Sequence, residues 1–150
     1  MNPDVRSGEA MPDRTWSLLL ASWVIALVST LGALFFSGVM DMEPCVLCWY
    51  QRIAMFPLVM VLGIGAYSQD RGCVRYALPL ALAGWAIAVY HCLLYGGFIP
   101  PNLQPCGKGA SCAAQKLEVA GFITLPLLSL VAFSTIVLLL TAARKDLGKI

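Results

Sequence analysis

Residues 17–67 read SLLLASWVIALVSTLGALFFSGV (17–39), MDMEPC (40–45) and VLCWYQRIAMFPLVMVLGIGAY (46–67): two long apolar runs parted by a short polar gap that ends in a cysteine. A helix rises about 1.5 Å per residue, so crossing a hydrocarbon core of about 30 Å takes roughly 20 apolar residues. Both runs are long enough, and neither shows the period-two alternation of a barrel strand. A helix, which satisfies its own backbone in lipid, is the form they predict. Two further runs, 74–95 and 119–142, pass the same test. With 59% hydrophobic and 12% charged residues among 150, and a mean hydropathy of +0.79, the chain lacks the polar surface of a soluble domain. The expected fold class is all-α: an integral membrane four-helix bundle forming a single domain over residues 1–150, with spans at about 17–39, 46–67, 74–95 and 119–142.

The first run follows Arg6 and Arg14, as a secretory signal would. It exceeds a signal core of about 7–15 residues and no small-residue cleavage site follows it before Met40-Asp41-Met42-Glu43, so it is expected to be a retained anchor. Short cytoplasmic loops keep Lys and Arg. Arg6 and Arg14 precede the first span, Arg71 and Arg75 flank the turn after the second, and Arg144, Lys145 and Lys149 follow the fourth, whereas the other two gaps hold only Lys108 and Lys116. Both termini are therefore expected in the cytoplasm, with loops at about 40–45 and 96–118 on the outside. The net charge of +2 is accounted for by these topology signals and calls for no nucleic-acid partner.

Those outer loops hold two cysteine pairs, Cys45/Cys48 and Cys106/Cys112, on the face where disulfides persist. Paired thiols at one membrane interface move electrons, staple the chain or hold a metal. In Pro44-Cys45-Val46-Leu47-Cys48-Trp49-Tyr50-Gln51-Arg52, the proline suits the opening of a helix and puts both cysteines in its first turn. There the free backbone donors and the positive dipole end favour thiolate over thiol. Arg52 follows Cys48 by four residues, on the same face one turn deeper, which makes Cys48 the expected electron donor. Haem attachment is excluded by Trp49 at the position that needs histidine. Zinc could formally take Cys45, Cys48, Cys106 and Cys112, but an oxidising face disfavours four stable thiolates, so no metal is expected. A purely structural disulfide gives no reason to place Arg52 in a span, at a cost of roughly 2.5–3.5 kcal/mol, although snorkelling lowers that cost.

The third span runs outward, which brings His91 to a depth similar to Cys48 and Arg52. A lone histidine is more often bonded to a carbonyl within the bundle, yet this coincidence of depth favours a ligand role. An acceptor reached from there is membrane-soluble and takes two electrons with two protons, as a quinone does. Arg52 would stabilise anionic character on its ring or on Cys48, and His91 would bond a ring oxygen or carry a proton. The second pair lies in Cys106-Gly107-Lys108-Gly109-Ala110-Ser111-Cys112, whose glycines permit a tight loop. An exchanging port, helped by Lys108, and a structural staple fit this segment equally well. Cys73 and Cys92 read as small apolar residues without a role.

The segment Pro44 to Arg52 resembles the signature of the DsbB family of quinone-dependent disulfide-forming membrane proteins. The short Cys106-x5-Cys112 loop and Gly121-Phe122-Ile123-Thr124-Leu125-Pro126 resemble its BdbC-like branch, and the likeness covers all four spans. It implies a bacterial inner-membrane thiol oxidase acting on an extracytoplasmic thioredoxin-like partner. By position, Cys106 would form the mixed disulfide and Cys112 resolve it. Electrons would pass to Cys45/Cys48, with Cys48 facing a quinone (ubiquinone or menaquinone) beside Arg52 and His91. The better-known branch differs in a much longer separation between its second-loop cysteines. A vitamin K epoxide reductase-like enzyme is the nearest alternative, but it carries its loop pair before its CxxC, the reverse of this chain. A non-enzymatic scaffold with structural disulfides is the alternative of another class.

Overall fold

The computed structural model describes residues 11–41, 43–99 and 124–148. The apolar runs form four helices, α1 (Asp13–Gly38), α2 (Val46–Ser68), α3 (Cys73–Tyr95) and α4 (Leu125–Leu147), each long and apolar enough to cross a membrane, with no strand among the described residues. The chain is an all-α integral membrane protein. Cys106, Cys112 and Lys108 lie outside the described residues, as does the expected start of the fourth span at Val119.

Three helix limits differ from those expected at Ser17, Val119 and Ala142. The first helix begins earlier, at Asp13, whose acidic side chain in the opening turn complements the helix dipole. The fourth opens at Leu125 with Pro126 in its first turn, where the missing donor is not needed, and runs on to Leu147 with Arg144 and Lys145 in its last turn. These polar ends carry no apolar signal, so hydropathy alone stops short of them.

Each helix packs on its two ring neighbours, α1 on α2, α2 on α3, α3 on α4 and α4 on α1, with no diagonal packing among the described residues. The turn between α2 and α3 is short: Gln69 takes a left-handed conformation (φ 52°) and Asp70 Oδ1 accepts from the Gly72 backbone N–H at 2.7 Å. Arg14 pairs with Asp146 at 3.3 Å, and Trp16 Nε1 donates to the Ala66 carbonyl at 3.1 Å. The start of α1 and the ends of α2 and α4 thus share one end of the bundle, and Cys45 lies at the other.

The core runs along the ring axis through Leu19, Leu58, Leu62, Ala81, Phe133 and Ile136. Small residues bring α3 close to α4. A side chain at Gly84 would overlap the ring of Phe133, and Ala88, one turn on, is fully buried. Trp85 Nε1 donates to Ser134 Oγ at 3.0 Å beside this contact. Outward-facing Val28, Ile53, Met60, Ile64 and Leu138 are exposed, as expected of side chains whose solvent is lipid.

Candidate redox site at the Cys45 end of the bundle

α2 starts at Val46, as the expected span does, and not at Pro44. Pro44 stands outside the helix, Cys45 is its N-cap with extended backbone (φ −67°, ψ 165°), and Cys48 is its third residue. Cys45 therefore does with sulfur what serine or aspartate does at other helix starts: its Sγ accepts from the free Cys48 backbone N–H at 3.3 Å. The two sulfurs lie 2.8 Å apart. That is closer than an ordinary non-bonded contact and longer than the roughly 2.05 Å of a disulfide bond.

His91, in the last turns of α3, completes the cluster. It is 2% exposed, and its Nε2 lies 3.8 Å from Cys45 Sγ. Its Nδ1 is buried with no hydrogen-bond partner among the described residues. Leu47 and Leu94 are buried beside Cys45, and Cys48, Ile87, Tyr90 and Ile99 pack around them, so the dithiol sits in apolar surroundings at the helix ends.

These contacts hold the Cys45 thiol well below its ordinary range, at about 4. The hydrogen bond from Cys48 is the chief cause; burial opposes it, and the His91 bond, the Cys48 backbone N–H and the charge of His91 reinforce it. These contacts favour the thiolate form of Cys45. Proximity to Arg52 in sequence points to Cys48 as the activated sulfur. The cap geometry and the imidazole, neither of which spacing reveals, converge on Cys45 instead.

Arg52 is anchored on α1. Its Nη2 donates to the Ala33 carbonyl at 2.8 Å and its Nη1 to Ser37 Oγ at 3.2 Å. Its guanidinium carbon lies 5.5 Å from the centre of the Trp49 ring. α1 has no basic residue in its own last turn, so Arg52 supplies from α2 the cation that the carbonyl end of α1 favours. These bonds remove much of the cost of a charge at membrane depth. Ser37 and Ala33 gave no sequence signal as partners, because a hydroxyl and a carbonyl within an apolar run are not distinctive.

The structure brings together Cys45, Cys48 and His91, and sets Arg52 one turn along α2 from Cys48. Cys73 lies at the opposite end of the bundle, packed over Gly65, and Cys92 is a free, half-buried thiol on α3.

Comparison with known proteins agrees with this geometry. The family model described as Disulfide bond formation protein DsbB matches residues 13–143. A probable disulfide formation protein of Metapseudomonas resinovorans is 49% identical over 132 residues, covering 87% of this chain and 92% of its own. Disulfide bond formation protein C of Bacillus subtilis is 44% identical over 130 residues, covering 85% and 93%. A probable disulfide formation protein of Chlamydia trachomatis is 46% identical over 134 residues, covering 89% and 96%. No solved structure matches the chain. Relatives of this closeness, matched over nearly their whole length, replace the scaffold and vitamin K epoxide reductase-like alternatives. With its close cysteine pair at a helix cap, the chain belongs to the DsbB family of disulfide bond formation proteins, a family of oxidoreductases.

Proposed function

We propose that the protein reoxidises an extracytoplasmic thioredoxin-like disulfide-forming partner and passes the two electrons through Cys106/Cys112 and Cys45/Cys48 to a membrane quinone, ubiquinone or menaquinone. The observation that carries this reading is the Cys45 sulfur, 2.8 Å from Cys48 Sγ and 3.8 Å from His91 Nε2, at the mouth of a membrane-spanning helix. The Lys and Arg distribution supports an orientation with both termini in the cytoplasm of a bacterial inner membrane and both cysteine pairs outside.

The chemistry balances as successive exchanges. A partner thiolate attacks the Cys106–Cys112 disulfide, Cys112 leaves as thiolate, and the partner's second thiolate displaces Cys106 as the partner disulfide closes. The new Cys106/Cys112 dithiol reduces the Cys45–Cys48 disulfide in the same manner. Reoxidising Cys45/Cys48 then removes two electrons and two protons as their S–S bond forms. A bound quinone would supply the acceptor for both.

The residues at this end fit such a group. Cys48 is half-buried whereas Cys45 is fully buried, so Cys48 is the sulfur reachable from the lipid side. Trp49 and Ile53 provide exposed apolar surface on α2, and Arg52 supplies a cation already oriented by Ala33 and Ser37. His91 is enclosed against Cys45, where its Nε2 can take or return a proton at that sulfur. Its unpartnered Nδ1 is the buried polar atom left for a ligand oxygen or a water.

The test mixes purified protein with quinone and a reduced thioredoxin-like partner and follows quinone absorbance. Wild type is expected to reduce quinone and Cys45→Ser to leave it oxidised. No reduction by wild type, or undiminished reduction by Cys45→Ser, would sink the mechanism.

A further inference from the structure

Cys45 Sγ, Cys48 Sγ and His91 Nε2 all lie within 4.8 Å of one another, with Cys45 and His91 buried and Cys48 half-buried. Two sulfurs and an imidazole nitrogen form the donor set of a soft or borderline divalent cation, zinc above all. We propose that the reduced site binds a zinc-class divalent cation through Cys45, Cys48 and His91, and that the bound ion holds the pair as a dithiolate. This donor set differs from the four cysteines that spacing alone brings to mind.

The distances favour it. With metal–sulfur bonds of about 2.3 Å and metal–nitrogen bonds of about 2.0–2.1 Å, tetrahedral ligand atoms stand roughly 3.5–3.8 Å apart. Cys45 Sγ and His91 Nε2 already have that separation, at 3.8 Å. The sulfurs, at 2.8 Å, need to open by about 1 Å, which side-chain rotation at the start of α2 allows. Charge favours it as well. A divalent ion with two thiolates and a neutral imidazole is a neutral complex, the form an apolar pocket tolerates. Three protein ligands leave the fourth position open to water, as in zinc sites that exchange a ligand. His91 already presents Nε2 to the Cys45 sulfur, and its Nδ1 is buried without a partner among the described residues.

Binding and oxidation exclude each other. The ion takes the place of the proton held between the two sulfurs, which leaves to solvent, and no electron moves. In the disulfide neither sulfur is a thiolate, and the site is gone. Metal therefore stabilises the reduced pair, and each tenfold of free ion above its dissociation constant makes the Cys45/Cys48 couple about 30 mV more oxidising. If the pair carries electrons as proposed above, the ion is a brake on that relay. This consequence rests on the proposed function; the binding itself does not.

The test uses the full-length reduced protein in detergent with Co2+ as the probe, read by its sulfur-to-metal charge-transfer band, and needs neither quinone nor partner. One Co2+ per chain is expected, displaced by Zn2+, with no band in the same protein after diamide oxidation. His91→Gln should weaken binding at least about tenfold, since even outer-shell losses cost 10–100-fold. The double variant Cys106→Ser/Cys112→Ser should keep the band. A circular dichroism spectrum matching wild type establishes that each variant is folded, and the oxidised wild type provides a control that needs no substitution. No band in the reduced wild type, an equal band after oxidation, or a folded His91→Gln with unchanged affinity overturns the proposal. Loss of the band in the double variant assigns the ion to the four-cysteine set and overturns it too. Quinone reduction failing while the cobalt band forms would count against the proposed function alone.

Discussion

Cys45 and Cys73 are alike in burial and in their place at a helix start, Cys45 as the cap of α2 and Cys73 as the first residue of α3. Their surroundings separate them. Cys45 meets a second sulfur at 2.8 Å, a backbone donor at 3.3 Å and an imidazole at 3.8 Å. Cys73 lies over Gly65, and its own backbone N–H donates to the Asp70 carbonyl at 3.4 Å. A helix start and burial are thus insufficient to make a reactive thiol; the polar groups that converge on the sulfur decide it.

The sharpest contrast between the two ends is expected from serine substitution. Cys45→Ser should abolish disulfide-forming turnover, since a hydroxyl cannot enter the S–S bond, while Cys73→Ser should stay within about twofold of wild type, the range expected of a group outside the reaction. Turnover with a reduced dithiol substrate measures both, and equal losses would erase the distinction. Arg52→Ala should come next. It removes two charge-assisted bonds to α1, each worth about 1.5–3 kcal/mol, and should lower the thermal midpoint in detergent while slowing turnover. Arg52→Lys, which keeps the charge without the two-pronged donor, should recover only part of the stability.

The titration of Cys45 gives a smaller effect with a defined sign. Its native value, about 4, lies below that of the unfolded thiol, so the native state favours the thiolate. The stabilisation is complete above the unfolded value of about 8.5 and is lost as pH falls through the native one. The difference in thiolate ultraviolet absorbance between wild type and Cys45→Ser should stay constant from neutral pH down to mildly acidic conditions and disappear near the native value. Removing the imidazole with His91→Ala should move that midpoint upward. The smallest change is expected from Cys73→Ala, about 1 kcal/mol of lost packing, read as a small drop in melting temperature with turnover unchanged.

The bundle was legible because its signal is summed over long windows. Four runs of apolar residues predict four helices whatever their neighbours do, and the observed ends depart where α4 opens at Leu125 and where Asp13, Arg144 and Lys145 extend helices into polar sequence. The cysteine pair was legible because Cys45 and Cys48 are separated by fixed covalent geometry, a helix start and two intervening residues. Pro44 as a helix opener places Cys45 in the first turn; in the structure the proline precedes the cap, and Cys45 is the cap itself. Small residues four apart, such as Gly84 and Ala88, permit a close helix approach, but the ring of Phe133 that fills it is set by packing.

Length, hydropathy and the CxxC with its trailing arginine determined by themselves that this is a four-span membrane protein with a dithiol at a helix mouth. Those properties depend on contiguous residues, and lipid leaves a contiguous apolar run few other structures. Only the tertiary structure decided that His91 faces Cys45, that Arg52 reaches Ala33 and Ser37, and that a backbone donor and an imidazole converge on the Cys45 sulfur. Each of these depends on how far one helix is rotated and shifted against the next. Successive residues point about 100° apart around a helix, so depth in the membrane, readable from a span, leaves open which neighbour a side chain meets.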